Sequence, residues 1–78
     1  MNMDINKEVA NKVRQAMDHK GESILNTAKL SAIPYSTLYR KLDDGGDFTM
    51  TELGRLADAL DVHPSTLVPD SFRQEDAA

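Results

Sequence analysis

Between Tyr35 and Leu42 the sequence reads YSTLYRKL, which gathers hydroxyls and a guanidinium along one side of a short helix. With Leu38 and Leu42 turned inward, a step of about 100° per residue puts Ser36 and Arg40 nearest the opposite side. Thr37 and Asp43 come next, Tyr39 and Lys41 flank them, and Tyr35 stands at the helix start. Such a face is suited to hydrogen-bonded recognition, not to bond-making. Arginine engages guanine O6 and N7 in two parallel hydrogen bonds, hydroxyls pair with several base edges, and a threonine methyl meets a thymine methyl. The same residues also fit a plainer role, in which Arg40 and Lys41 face water and Tyr35 and Tyr39 cover a helix junction. Periodicity alone does not separate the two.

Catalysis has little to stand on. His19 and His63 are isolated, no nucleophile has a recognisable local context, and no glycine-rich loop follows a strand. Cysteine is absent, which excludes disulfide scaffolds, thiolate zinc sites and cysteine nucleophiles and leaves the redox compartment open. Asp43-Asp44-Gly45-Gly46-Asp47 lacks the alternating ligands and closing glutamate of a calcium loop and reads as a helix-ending turn. No enzyme activity, cofactor or metal is expected.

The elements that must carry the recognition residues follow from spacing and punctuation. Ile5, Val9, Val13 and Met17, with Ala10 and Ala16, recur at helical intervals up to Lys20-Gly21, the cation and glycine of a helix end. Ser23 caps a second helix with Ile24, Leu25 and Ala28 on one face, running to about Leu30. Pro34 interrupts it and opens a third helix at Pro34 or Tyr35, which continues through Leu42. Thr49 and Glu52 form a T-x-x-E capping box, with Phe48 and Leu53 at the staple positions. The fourth helix that starts there carries Leu53, Leu56, Ala57 and Leu60, and Val62 to Leu67 reads as a short fifth turn led by Pro64. The expected domain spans residues 1–68. Residues 69–78, polar and acidic, read as a flexible tail.

Seventy-eight residues suffice for one compact domain with a modest core. The net charge of −4 argues superficially against nucleic acid, since Lys and Arg supply non-specific affinity for phosphates. Its distribution argues otherwise: residues 1–22 sum to zero, 23–42 to +3 without a single acid, and 43–78 to −7. One non-acidic face on an otherwise repelling surface favours a single docking orientation. No run approaches the roughly 18 apolar residues of a membrane span. A cytoplasmic protein is expected.

From Ser23 to Leu42, SILNTAKLSAIPYSTLYRKL resembles the helix-turn-helix of Cro and lambda-type phage repressors, the Xre-like family. Phe48 to Leu53 and Leu56 to Ser65 resemble that family's fourth and fifth helices. The resemblance implies an all-α, four- to five-helix lambda-repressor-like domain that binds double-stranded DNA and regulates transcription. It implies base reading by Tyr35, Ser36, Thr37 and Arg40, and contact with the DNA backbone by Ser23, Asn26, Lys29, Tyr39 and Lys41. Palindromic half-sites read by a weak homodimer, through helix five, Leu67, Val68 or Phe72, or by monomers pairing on DNA, are the expected mode. Three positions depart from the family. The turn glycine is Ala32, which implies either a turn without left-handed geometry or a strained one. Ile24 replaces a polar phosphate-binding residue, and the loop Asp43 to Asp47 carries three acids. A protein-binding adapter or antitoxin-like module on the same fold is the alternative.

Overall fold

The computed structural model describes residues 4–72. Its elements are α1 (Ile5–Lys20), α2 (Ile24–Ser31), α3 (Tyr35–Asp44) and α4 (Met50–Leu60), followed by single 3-10 turns at Pro64–Thr66 and Asp70–Phe72. No strand occurs among the described residues. The fold is all-α, as expected, with the fifth helix reduced to one turn.

Local chemistry sets each boundary. Asp4 accepts from the amides of Asn6 and Lys7 to start α1, and Gly21, at φ 78°, ends it with its N–H on Met17 and Asp18 carbonyls. Ser23 Oγ accepts from Asn26 N at 3.0 Å to start α2. At α4 the capping box is complete: Glu52 N donates to Thr49 Oγ1 at 3.0 Å and Thr49 N to Glu52 Oε1 at 2.8 Å. Gly45 closes α3 at φ 69°, and a Cβ there would stand 2.7 Å from Lys7 Cγ, so conformation and space both demand glycine.

Ala32 ends α2 at φ 60°, ψ 31°, so of the two geometries open to an alanine at this turn the structure adopts the strained one. We predict that Ala32→Gly stabilises the fold by about 1 kcal/mol, the relief of left-handed strain less the extra freedom of an unfolded glycine. Urea unfolding followed by circular dichroism measures this; an unchanged or lower midpoint would refute it.

The core is built around α4, which packs on α1 and α2, while α3 packs on α1 and α2. Val13, Leu38, Leu56 and Leu67 are wholly enclosed. Two expected core residues are not in it: Ile5 is exposed, and Leu25 is 52% exposed. Over α2's eight residues the inward face turns through Thr27, Ala28 and Ser31 instead, and Ile24 packs at its edge. Ser31 satisfies its hydroxyl on the Thr27 carbonyl at 2.7 Å.

The tail expected from Pro69 onward is modified where the structure describes it. Pro69 is buried, Asp70 N donates to Glu8 Oε2 at 2.9 Å, and Lys12 Nζ lies 3.0 Å from Asp70 Oδ1, fastening the last turn to α1. The cause is pairing across 58 residues of chain, which local composition does not reveal. The remainder of the expected tail, residues 73–78, lies outside the described residues.

Candidate nucleic-acid interface

α2 and α3 are joined by Ala32-Ile33-Pro34, a three-residue turn between two short helices. Ile33 and Ala28 are buried at the junction, and Ile33 N donates to the Ala28 carbonyl at 3.2 Å. Pro34 sets the start of α3 with its own backbone, and no side chain caps that end.

α3 then divides by side. Leu38 and Leu42 are buried, whereas Tyr35, Ser36, Tyr39 and Arg40 are exposed and Thr37 is half-buried. Of the four residues expected to read bases, Tyr35, Ser36 and Arg40 are accessible on the side away from the core and Thr37 lies at its edge. Tyr35 and Tyr39, one turn apart, set their rings 6.1 Å apart at 38°, a tilted pair outside the core. Arg40 leans toward the loop after α3: a Cβ at Gly46 would lie 3.7 Å from its Nη1.

The residues expected on the DNA backbone are less uniform. Lys29 is exposed on α2. Ser23 is exposed but spends its hydroxyl on the cap, and Asn26 Nδ2 donates to Glu22, which brings a carboxylate to the start of α2.

Lys41 differs most from expectation. It is 9% exposed, its Nζ lies 2.7 Å from Glu52 Oε1, and the Phe48 ring sits beneath it at 5.7 Å. The flank of α3 on which periodicity places Lys41 is covered by the start of α4. Lys41 is therefore bound within the chain, and Lys29 and Arg40 are the cations that the segment 23–42 presents to solvent.

Sequence reasoning recognised Glu52 as half of a capping box but missed its second role as the counter-ion of Lys41. An acidic residue eleven positions beyond a buried lysine is no pattern; only folding joins them. Burial pushes the Glu52 carboxyl upward, but hydrogen bonds from Lys41 and Thr49 and the Lys41 charge outweigh it and hold the group below the usual glutamate range.

Of the residues considered for a dimer contact, Leu67 is wholly enclosed, Val68 half-buried and Phe72 56% exposed. Among the described residues no helix is long and apolar enough to cross a membrane, and no cluster of three His, Cys, Asp or Glu side chains could hold a metal ion.

No protein-family model matches the chain, and no curated protein matches it. Among solved structures it is similar to the restriction-modification controller protein C.AhdI from Aeromonas hydrophila, with a TM-score of 0.74 and 24% sequence identity over 80% of this chain and 94% of that one. α2, a three-residue turn and α3 thus form a helix-turn-helix inside a bundle that shares the fold of that structure.

Proposed function

We propose that this protein is a sequence-specific double-stranded DNA-binding regulator of transcription, a phage or prophage repressor of the Cro kind that blocks a promoter by occupying its operator. The observation that carries the reading is the division of α3, which buries Leu38 and Leu42 and turns Ser36, Arg40 and both tyrosines outward. A helix so divided, second in a helix-turn-helix, is shaped to enter a major groove. A protein-docking face would be apolar at its centre, and this one carries hydroxyls and a guanidinium.

In this reading Arg40 takes a guanine, Ser36 and Thr37 contact neighbouring base edges, and Tyr35 reads the base at the helix start. Tyr39, Ser23, Asn26 and Lys29 lie along the sugar-phosphate wall, and Lys41 is left out because Glu52 holds it. The protein works in the cytoplasm of a bacterial host, on two half-sites about 34–36 Å apart, as a weak homodimer or as monomers pairing on DNA. The binding domain runs from the start of α1 through the turn Asp70–Phe72, which Glu8 and Lys12 fasten to α1.

Selection of bound duplexes from a random library at two salt concentrations tests this. An enriched half-site or palindrome is expected. Repeated with Arg40→Ala, the selection should lose preference at one base pair, at a cost of about 1–3 kcal/mol, while Lys29→Ala weakens all sequences alike. No enrichment at low salt would refute the reading and favour a protein-binding adapter.

A further inference from the structure

We propose that Lys41 and Glu52 form a positioning pair that sets the rotation of α3 about its own axis and hence the direction in which Arg40 leaves the helix. The inference rests on the reading of α3 as the recognition helix and assigns a determinant of its specificity that touches no DNA.

The other anchors of α3 are weakly directional. Leu38 and Leu42 hold it by burial, which changes little over a small rotation. At its first turn no side chain supplies a capping hydrogen bond. The Lys41–Glu52 contact is different in kind. The pair is largely desolvated, with side chains 11% and 18% exposed, and its 2.7 Å separation is that of a charge-assisted hydrogen bond.

Glu52 is also fixed independently of Lys41. The same Oε1 accepts from Thr49 N at 2.8 Å, so the capping box orients the carboxylate on α4. The lysine stem is confined as well: a Cβ at Gly46 would meet Lys41 Cγ at 3.3 Å and Lys41 Cα at 3.5 Å, which places the loop backbone against α3 at this residue. Head, stem and backbone of Lys41 are thus all located, and Arg40 is its neighbour in the same helix. Recognition groups must be held to within about 10–20° to discriminate. A directional buried pair that selects one arrangement at little gain in stability is a known use of such contacts.

The test separates position from stability. Lys41→Met combined with Glu52→Gln removes both charges at once, keeps an unbranched apolar stem at position 41 and leaves an amide oxygen at position 52 to accept from Thr49 N. The double variant should unfold at about the urea concentration of the parent, because replacing both members of a buried ion pair is often neutral or stabilising, whereas losing one strands the charge of the other. On the duplex enriched by the parent protein, its preference over a duplex altered at the Arg40 base pair should fall about tenfold, the size of one lost base contact. Lys41→Arg, which retains the charge, should keep most of that preference.

A double-variant protein that discriminates as well as the parent overturns the proposal, as does one that no longer folds. If the parent itself prefers no sequence, the recognition reading fails and this inference with it. That outcome is distinguished by appearing before any substitution is made.

Discussion

Leu38→Ala is expected to cost about 2–5 kcal/mol of folding stability, the range for truncating an enclosed leucine that leaves a cavity its neighbours only partly fill. Leu38 is 0% exposed and is the inward anchor of α3, opposite Ser36 and Arg40. At roughly 0.05–0.15 kcal/mol per residue, a domain of this size has about 4–12 kcal/mol in all, so the loss removes a large share of it. Urea titration by circular dichroism should show a strongly lowered midpoint or no cooperative transition. Leu30→Ala is the control: at 54% exposure it should stay within about 0.5 kcal/mol of the parent. Similar losses from both would mean that α2 and α3 are not packed as described.

Glu52→Ala is expected to cost about 3 kcal/mol, because it acts twice. Half of the capping box disappears, worth about 1 kcal/mol. The larger part comes from Lys41, whose ammonium is left in a largely buried place without its counter-ion. Breaking a fully buried pair costs about 3–5 kcal/mol, reduced here because the long lysine stem lets the ammonium reach toward water. The contrast with the double variant Lys41→Met/Glu52→Gln is the signature: removing both charges is tolerated, removing the anion alone is not.

Glu52 also gives stability a pH dependence whose sign is fixed. Its folded carboxyl titrates below the usual glutamate value, so between the two the unfolded chain binds more protons. The contribution is whole above the ordinary glutamate range and is lost as pH falls through the folded value. Urea midpoints taken from pH 7 downward should fall in that window for the parent and fall less for Glu52→Ala. Equal slopes would show that the carboxylate is not held by the contacts described.

Helix boundaries were legible where the residue that makes them is local. Gly21, Ser23, Pro34 and the Thr49–Glu52 box each act within one turn, and the structure places helix ends at all of them. Ser36 and Arg40 were legible for the same reason, since ten residues of regular helix leave little doubt about which side opposes Leu38 and Leu42. Leu25 was misplaced because its side of α2 is the more apolar one, whereas α2 packs on α3 and α4 through the smaller residues Thr27, Ala28 and Ser31. The places of Lys41 and Asp70 were not legible, because each is held by a partner elsewhere in the chain. Ala32 showed that something at the turn had to yield, but not whether backbone or interhelix geometry would do so.

At the end of α1, Lys20 Nζ donates to the Ala59 carbonyl in the last turn of α4, at 3.2 Å. That bond spans 39 residues and supplies a positive charge where α4 has none of its own. Its consequence lies in the order of events. The α2–α3 contacts close short loops and can form early, whereas the α1–α4 clasp must wait for the intervening chain to collapse. The helix-turn-helix is thus expected to gather first and to be locked at its base last, and in hydrogen exchange the amides at the ends of α1 and α4 should open together.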